Sequence, residues 1–503
     1  MPITRRRAVQ MLAASPLLAQ TFTEQLGLPR DAPNFLIIMT DDQRADALSI
    51  AGNPILETPN LDRIADEGAR FTEAFVTNSL CAPSRASILT GLYSHAHGVM
   101  THGTTDADRN APGLRENQPT FVTLLRQAGW FTALTGKWHL RSQPAGFDQW
   151  VILPAGGGPY LDPEMNANGM KLKMRGYADD VVGDQALAIL RERPKNKPFC
   201  LLYHFKAPHR NWIPAERHKD AFNDVAIPIP RTFEDKFEGR PEALRKAFNA
   251  IADMRDFDKR GVSPDLPPDE RKRRNLEELV KNYYRTLLSV DENVGRVLDF
   301  LDKNDLAKNT VVLFTSDNGF FLGEHGLYDK RLMYEPSIRV PMLVRYPERV
   351  KPIVDASHMV LNVDIAPTIL EIAGIPVPTW MHGTSFLPLI APGGHAGPPL
   401  RWRDAFCYAF YEHPDADHCV RKNRGIRTDR WKLIQFWEEP QEWELYDLAS
   451  DPDEMKNLYG KREHAERVKA LRAKMDTLRR EVGDVDPPGG SQAAVRCKPR
   501  TIP

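Results

Sequence analysis

The stretch Cys81-Ala-Pro-Ser-Arg-Ala-Ser-Ile-Leu-Thr-Gly91 decides how this chain can fold around a reactive centre. Pro83 suits the first turn of a helix, because the N–H that proline lacks would have no partner there. Gly91 is a natural helix end, so the stretch predicts a short helix with Cys81 at or just before its N-terminus. Unpaired N–H groups and the helix dipole favour an anion at that end. Arg85 adds a positive charge one turn further on.

Two apolar runs, one on either side of this stretch, are each followed by a pair of residues with oxygen-bearing side chains. Residues 34–40 and 310–316 have the continuous apolar character of buried parallel strands. They are followed by Asp41-Asp42 and by Asp317-Asn318, and ligands of open α/β sheets bind beyond the carboxyl ends of the strands. Adjacent carboxylates repel each other unless a cation lies between them. The all-oxygen set therefore indicates Ca²⁺ or, as second choice, Mg²⁺.

Two basic segments follow other predicted strands, Gly136-Lys-Trp-His139 and Lys206-Ala-Pro-His209. Lys137 and His139 are two residues apart, so both would face one side of an extended segment. A cation and a titratable imidazole at that place suit an anionic substrate. His209 is predicted to lie on a loop at the end of its strand.

The remaining pattern predicts an α/β protein with a large mixed, mostly parallel sheet flanked by helices. Further strands are expected at 71–76, 131–135, 199–205 and 341–346, and helices at 118–129, 177–192, 276–306 and within 359–373. Beyond a Pro/Gly-rich linker, short strands with aromatic alternation and a helix at 461–481 predict a smaller C-terminal α+β domain with an antiparallel sheet. The expected division is a signal peptide and linker at 1–30, a catalytic domain at 31–390, the C-terminal domain at 391–485 and a tail at 486–503.

Composition excludes several classes of protein. The 503 residues include 67 Lys+Arg and 67 Asp+Glu, and this balance argues against nucleic acid or an acidic membrane surface as partner. Five cysteines without a Cys-x-x-Cys pair exclude a zinc ribbon and a dense disulfide framework, although Cys407 and Cys419 could pair. The motifs carry no information on oligomeric state.

The N-terminus has the features of an export signal. Thr4-Arg5-Arg6-Arg7 precedes a short apolar run that ends in small residues, and this run is too short to span a bilayer. The paired arginines suggest the twin-arginine type, so we expect an exported, periplasmic protein. No other run is long and apolar enough to predict a membrane span.

The Cys81 stretch resembles the signature of the type I sulfatases, a family of the alkaline phosphatase superfamily. The Asp41-Asp42 strand, Gly136-Lys-Trp-His139, Ser316-Asp-Asn-Gly319 and Leu445-Tyr-Asp447 occur in the order of that family, and the resemblance covers about residues 34–460. Within the family, the chain is most similar to the glycan 6-O-sulfatases that act on N-acetylglucosamine. This narrower resemblance lies in Gly146-Phe-Asp-Gln-Trp150, in residues 323–331 and in residues 425–433.

The resemblance implies hydrolysis of a sulfate ester on a sulfated glycan, with the 6-O-sulfate of N-acetylglucosamine as the expected target. In this family a maturation enzyme converts the cysteine, here Cys81, to formylglycine. One hydroxyl of the hydrated aldehyde attacks sulfur, and the second then expels sulfate. A bound Ca²⁺ would assist beside the converted residue. Its implied ligands are Asp41, Asp42, Cys81, Asp317 and Asn318.

The resemblance also implies roles for basic residues. Arg85 would hold the aldehyde hydrate, and Lys137 and Lys330 would bind sulfate oxygens. His139 would act on the diol proton, and His209 would protonate the leaving alcohol. His325 competes with His209 for that last role.

Sugar recognition calls for aromatic platforms and hydrogen-bonding side chains near the pocket mouth. The candidates are Trp150, Trp212, His325 and His418. Two alternatives to a glycan sulfatase remain open. One is a phosphonate monoester or phosphodiester hydrolase on the same scaffold, and the other is an exported anion-binding protein whose Cys81 is never converted.

Overall fold

The computed structural model describes residues 28–29, 31–103, 112–245, 247, 249–391, 401–412, 418–438 and 440–485. The expected tail at 486–503 and nearly all of the expected signal segment at 1–30 lie outside the described residues, as does most of the linker. Eighteen strands are present in the described part. They are β1 (Asn34–Thr40), β2 (Ala69–Phe71), β3 (Ala74–Phe75), β4 (Phe131–Lys137), β5 (Gln149–Leu153), β6 (Glu164–Ala167), β7 (Met170–Lys173), β8 (Phe199–His204), β9 (Thr310–Ser316), β10 (Phe321–Leu322), β11 (Tyr328–Asp329), β12 (Met342–Arg345), β13 (Ile353–Asp355), β14 (Val360–Leu361), β15 (Ala405–Phe410), β16 (Asn423–Thr428), β17 (Trp431–Phe436) and β18 (Glu442–Asp447).

The helices pack mainly on the two faces of the largest sheet. Their bounds are Pro59–Asp66, Cys81–Thr90, Ser94–His97, Phe121–Gln127, Ala178–Glu192, Glu242–Arg245, Pro268–Lys303, Glu335–Ile338, Ile365–Ile372, Leu387–Ile390 and Ala465–Glu481. Short 3₁₀ turns lie at Ser49–Ala51, Glu216–His218, Ile251–Asp253, Ala307–Asn309, Glu324–Gly326, Asn362–Asp364 and Arg462–His464.

Ten strands form one mixed sheet in the order β13-β2-β12-β9-β1-β8-β4-β5-β6-β7. The central strands β9, β1, β8, β4 and β5 are parallel, and β12 pairs antiparallel with β9 and β2. Every residue of β1 is buried, as its unbroken apolar sequence requires for a strand covered on both faces. The predicted mostly parallel sheet flanked by helices is confirmed.

The four-stranded antiparallel sheet β15-β16-β17-β18 packs between the core of the ten-stranded sheet and the helix Ala465–Glu481. Along β15, Phe406, Tyr408 and Phe410 belong to the same buried cluster as Phe35 and Met342 of the ten-stranded sheet. The alternate residues Ala405 and Cys407 face the helix Ala465–Glu481 in a separate small cluster. Because successive side chains of a strand point to opposite faces, one face of this sheet packs on the large core and the other packs on the helix. The predicted small antiparallel sheet is confirmed.

Several predicted elements differ from the structure in their bounds. The strand expected at 71–76 is two short strands, β2 and β3, which join different sheets. The helix expected at 276–306 begins at Pro268, because a proline followed by acidic residues makes a good first turn. The segment 359–373 begins with strand β14, and its helix starts only at Ile365.

Two further sequence expectations can be compared with the described residues. Cys407 is a free, buried thiol, so the suggested pairing with Cys419 is wrong; Cys419 is disulfide-bonded. Among the helices that the structure describes, none is long and apolar enough to cross a membrane.

Candidate active site

Cys81 opens a helix that is buried along its whole length. The helix spans Cys81–Thr90, and Gly91 ends it with a φ of 68°, in the left-handed region that glycine adopts without strain. The predicted placement of Cys81 at a helix N-terminus is confirmed. Its thiol lies 3.2 Å from Oδ1 of Asp41 and 3.8 Å from Oδ1 of Asp42.

Two neighbouring strands bring the acidic residues to this thiol. Because Thr40 pairs with Ser316 in parallel register, the residues after β1 and β9 meet at one edge of the sheet. The backbone N–H of Asp42 donates to Oδ1 of Asp317 at 3.1 Å. Asp42 has a φ of 72°, a strained value for a residue with a side chain, and such strain collects at functional sites.

The donor set fits a hard divalent cation. One side-chain atom from each of Asp41, Asp42, Cys81 and Asp317 lies within 4.8 Å of the others, and all four residues are buried. Asn318 donates from Nδ2 to Oδ1 of Asp42 at 2.7 Å. Its own Oδ1 is buried and has no hydrogen-bond partner within the described part of the chain. Three buried carboxylates and an orphaned amide oxygen form the kind of cluster that Ca²⁺ binds.

The titration of these carboxylates reflects their crowding. Burial raises the pKa of Asp317 to about 7, and the nearby charge of Asp41 adds to this effect. Burial likewise raises the pKa of Asp42, against the influence of Lys330. Burial also opposes ionisation of Asp41, but the charges of Lys137, His209, Arg85 and Lys330 together outweigh it and hold the pKa of Asp41 well below its usual range. Ionisation of all three carboxyl groups is unfavourable unless a cation binds between them.

Three buried cations surround the same atoms. Nζ of Lys137 contacts Asp41, and Nζ of Lys330 contacts Asp42 and lies 3.3 Å from Sγ of Cys81. Arg85 donates from Nε to Oδ2 of Asp317 and from Nη1 to the carbonyl of Lys137, both at 2.8 Å. Its Nη2 is buried and has no hydrogen-bond partner among the described residues. The structure thus brings together all three predicted cations and leaves one donor for an anion.

The two predicted histidines line one pocket beside this cluster. His209 places Nε2 at 3.8 Å from Oδ2 of Asp42, and its Nδ1 donates to the carbonyl of Arg210 at 2.8 Å. His139 has a φ of 60°, and β4 ends at Lys137. The argument from an extended segment is therefore wrong, although both Lys137 and His139 lie at the site.

The pocket has a volume of about 260 Å³. That volume lies below the range typical of sites for drug-sized ligands and suits a single sugar residue. Asp42 and Lys330 lie at its wall, so it opens directly onto the cluster of buried carboxylates beside Cys81. Other lining residues that matter below are His102, His139, His209, Trp212, Arg331 and His418.

A larger cavity of about 430 Å³ lies elsewhere and contains neither Cys81 nor the clustered carboxylates. His325 lines that cavity, where its Nδ1 lies 2.8 Å from Oδ2 of Asp235. We assign the chemistry to the smaller pocket, because only that pocket meets the buried charges around Cys81.

The four candidate sugar contacts separate into two groups. Trp212 and His418 line the pocket. Trp150 is buried in the hydrophobic core, and His325 lies in the larger cavity, so the structure brings neither to this site. We do not retain Trp150 and His325 as sugar contacts or His325 as a proton donor.

Sequence reasoning did not identify a carboxylate that organises the outer wall of the pocket. Oε2 of Glu412 accepts from Nε2 of His418 at 2.9 Å, and Oε1 accepts from the backbone N–H of His102 at 3.1 Å. Nε of Arg331 lies 3.8 Å from the same carboxylate. No local pattern marks Glu412 or His102, since they meet only through the folded C-terminal sheet.

Comparisons with known proteins agree with this geometry. The sulfatase family profile matches residues 33–375, and the profile described as "N-sulphoglucosamine sulphohydrolase, C-terminal" matches residues 323–481. An N-acetylglucosamine-6-O-sulfatase of Bacteroides thetaiotaomicron is 40% identical over 499 residues, which cover 90% of this chain and 88% of the relative. The human N-acetylglucosamine-6-sulfatase is 29% identical over 480 residues, covering 85% of this chain and 81% of that protein.

Solved structures add a bound ligand to the comparison. A protein in complex with its substrate D-glucosamine-2-N,6-O-disulfate superimposes with a TM-score of 0.82 at 38% identity, covering 91% of this chain and 99% of the other. A phosphonate monoester hydrolase from Silicibacter pomeroyi has a TM-score of 0.72 at 21% identity, covering 90% of this chain and 96% of the other. At that identity the second similarity concerns the fold alone.

Proposed function

This chain belongs to the sulfatase family, and we propose that it removes the 6-O-sulfate from N-acetylglucosamine or an N-sulfated glucosamine unit of sulfated glycans. The chain is a sulfuric ester hydrolase. The observation that carries the proposal is the buried group of Asp41, Asp42, Cys81 and Lys330 beside a pocket for one sugar residue. The choice of sugar rests on the relatives, whose names specify the 6-sulfate of N-acetylglucosamine.

Two groups would complete the site. In sulfatases the cysteine of this signature becomes formylglycine, whose hydrate supplies a hydroxyl nucleophile at the position of the Cys81 sulfur. Asp41, Asp42, Asp317 and Asn318 would hold Ca²⁺, which supplies positive charge to the sulfate when bound. The orphaned Oδ1 of Asn318 is the observation that supports this ligand set.

Three side chains of this site are suited to bind the sulfate itself. Lys330 lies 3.3 Å from Sγ of Cys81, so its ammonium group can reach an oxygen of a sulfate at that position. Nζ of Lys137 contacts the carboxylate of Asp41. Nη2 of Arg85 has no hydrogen-bond partner in the described part of the structure. Fixed donors in a buried site stabilise charge strongly, because no solvent has to reorganise.

Proton transfer falls to the two pocket histidines. Because Nδ1 of His209 donates to the carbonyl of Arg210, Nε2 is the ring atom that can take up a proton, and the resulting imidazolium can pass that proton to the leaving sugar oxygen. His139 keeps an unpartnered, buried Nδ1 among the described residues. We propose that His139 takes the proton from the hydroxyl nucleophile.

Sugar binding is assigned to Trp212 and His418. Trp212 is fully buried and stacks on Phe257, so its position at the pocket wall is rigid. His418 is held at the pocket wall by both ring nitrogens, since Nε2 donates to Glu412 and Nδ1 accepts from the backbone N–H of Val420. It can therefore offer a sugar only the face or edge of its ring.

Maturation and export complete the proposal. Conversion of Cys81 requires a formylglycine-generating enzyme as a partner. The basic and apolar N-terminal sequence supports export, with Arg5-Arg6 as the twin-arginine element. N-terminal sequencing of the protein recovered from the periplasm of its host tests this assignment, and an uncleaved cytoplasmic product would contradict it.

Release of sulfate tests the proposed function. Protein with converted Cys81 is incubated with N-acetylglucosamine 6-sulfate, D-glucosamine-2-N,6-O-disulfate, a 2-O-sulfated uronic acid and a phosphonate monoester, and the free anions are measured. We expect sulfate from the first two substrates alone. Sulfate from the uronic acid alone would keep the sulfatase but overturn the 6-O-glucosamine assignment. Anion release from the phosphonate ester alone would favour the phosphonate monoester hydrolase alternative.

A further inference from the structure

A second set of metal-binding atoms lies on the pocket side of Cys81. Its Sγ and one ring nitrogen from each of His102 and His139 lie within 4.8 Å of one another. The centroids of the two imidazole rings are 4.6 Å apart. This set shares only Cys81 with the carboxylate cluster, so the same thiol borders two chemically different groups of ligands.

The two histidines have nitrogens available for a ligand. Nε2 of His102 and Nδ1 of His139 are both buried, and neither has a hydrogen-bond partner among the residues that the structure describes. A buried polar atom without a partner is costly, and a bound ion would satisfy both. Both residues line the pocket of about 260 Å³, which gives an ion a route of entry.

One sulfur and two imidazole nitrogens are the ligands of Zn²⁺ and related borderline-soft ions, whereas Ca²⁺ prefers oxygen. Zinc ligands usually have an outer carboxylate that fixes the ring orientation. Here Oε1 of Glu412 lies 3.8 Å from Nδ1 of His102. The carboxylate cluster would keep its own preference for a hard cation.

We propose that the unconverted protein, with a thiol at Cys81, binds Zn²⁺ through Cys81, His102 and His139. Coordination forms a zinc–sulfur bond and releases the thiol proton to solvent, with no change in oxidation state. The fourth position of a tetrahedral ion faces the pocket and takes water. Conversion of Cys81 to formylglycine removes the sulfur ligand, so the mature enzyme loses this site. The inference requires only that the chain exists with an unconverted thiol, and it stands independently of the sugar assignment.

Cobalt provides a direct spectroscopic probe. The full chain is produced in a host without a maturation enzyme, peptide mass spectrometry confirms the thiol at Cys81, and Co²⁺ is added in the presence of saturating Ca²⁺. We expect a thiolate-to-cobalt charge-transfer band with intense visible bands of a tetrahedral ion, saturating at a single equivalent. Added Zn²⁺ should bleach these bands.

Matched variants locate the ion. Cys81→Ala should abolish the charge-transfer band, and His102→Gln and His139→Gln should each weaken Co²⁺ binding by at least about tenfold, since even the loss of a residue that only orients a metal ligand costs that much. His209→Gln is the control, because His209 belongs to a competing set with Asp41 and Cys81. We expect it to leave Co²⁺ affinity unchanged. Far-ultraviolet circular dichroism and thermal unfolding establish that each variant is folded.

Three results would overturn the proposal. The first is the absence of a charge-transfer band from the folded thiol form. The second is loss of the band in His209→Gln with retention in His102→Gln and His139→Gln, which would place the ion beside Asp41. The third is a Co²⁺ affinity that is high without Ca²⁺ and falls as the Ca²⁺ concentration is raised in a parallel titration, which would place the ion in the carboxylate cluster.

Discussion

Lys137 and Lys330 each contact a carboxylate that the proposed Ca²⁺ would also need. Both lysines are buried beside Cys81, where a charge left without a partner is costly. Binding of Ca²⁺ to Asp41 and Asp42 would neutralise the carboxylates and leave both ammonium groups available to a sulfate. In this site the buried lysines and carboxylates therefore pair with each other at first. When Ca²⁺ and a sulfate bind, we expect the carboxylates to pair with the metal and the lysines with the sulfate.

Replacement of Lys330 by alanine tests this exchange. We expect kcat to fall by about 10²–10³-fold, the usual loss when a fixed donor to a developing charge is removed. Initial rates of sulfate release across substrate concentrations separate kcat from KM. Lys281→Ala is the matched control, because Lys281 is also buried and paired, with Glu277, away from the pocket. An unchanged kcat in Lys330→Ala would contradict the assignment.

Sequence reasoning predicted the residues that follow strands and missed those that meet only in the fold. Asp41, Asp317 and Lys137 each lie at the carboxyl end of a central strand, a place that sequence pattern identifies directly. His102 and Glu412 lie far apart in the chain and come together only because the C-terminal sheet covers the pocket. No spacing rule connects such residues.

Strand β15 fixes part of the active site from the C-terminal sheet. The hydroxyl of Tyr408 donates to the carbonyl of Arg331 at 2.8 Å and accepts from the backbone N–H of Ser79 at 3.3 Å. Tyr408 therefore links the segment of Lys330 to the segment that precedes Cys81.

The variant Tyr408→Phe should raise KM and lower kcat/KM by about tenfold, while the free energy of unfolding falls by only about 2 kcal/mol, about 1 kcal/mol for each of the two hydrogen bonds lost. Steady-state kinetics and urea unfolding measure the two effects. Tyr346→Phe serves as control, since its hydroxyl contacts Asn309 and Glu348 instead. A parallel loss in both variants would show that Tyr408 has a general structural role only.

The helix Ala178–Glu192 holds the loop that carries His209. Oδ1 of Asp179 accepts from the backbone N–H groups of Lys206 at 2.9 Å and Ala207 at 3.4 Å. Burial raises the pKa of Asp179 to about 7, against the opposing effect of these hydrogen bonds. Folding thus favours the protonated form of Asp179 relative to the unfolded chain.

A pH-dependent stability difference follows for Asp179→Asn. The pKa of Asp179 is higher in the folded than in the unfolded chain, so its stabilising contribution is complete at low pH and is lost as pH rises through about 7. Asparagine has no such dependence. Between pH of about 4 and about 8, the free energy of unfolding should shift in favour of the variant, by at most about 4 kcal/mol. Urea unfolding at several pH values measures it, and a difference that does not change with pH would refute the account.

The bounds of a strand or helix were predicted best where its sequence had a single clear property, such as continuous apolar character. The continuous apolar sequence of β1 gave its bounds directly, because no alternative element suits it. The strand expected at 71–76 divides into β2 and β3, since two polar residues between them allow the chain to pass from one sheet to another. The helix from Pro268 was expected to begin later, because its first turns are charged and lack an apolar periodicity.

At the scale of the whole molecule, the proposed Ca²⁺ joins the ends of β1 and β9 to the helix that begins at Cys81. A ligand that binds only the folded state stabilises it, by about 2.7 kcal/mol at one hundred times its Kd. Chelation should therefore lower the unfolding temperature by a few degrees and abolish sulfate release, and added Ca²⁺ should restore both.

Asp317→Ala should remove both responses together, whereas Asp302→Asn, an exposed residue paired with Arg63, should retain them. Calorimetry with and without Ca²⁺ measures the stabilisation. Full activity of the unaltered protein in a strong chelator would refute the metal assignment.

The central claim is that turnover of a 6-sulfated glucosamine depends on formylglycine at position 81. The most direct measurement is sulfate release from N-acetylglucosamine 6-sulfate by preparations that differ only in the fraction of converted Cys81, quantified by peptide mass spectrometry. The account predicts a rate proportional to that fraction, with a line through the origin and no turnover by Cys81→Ala. A substantial rate in fully unconverted protein, or a rate independent of conversion, would contradict it.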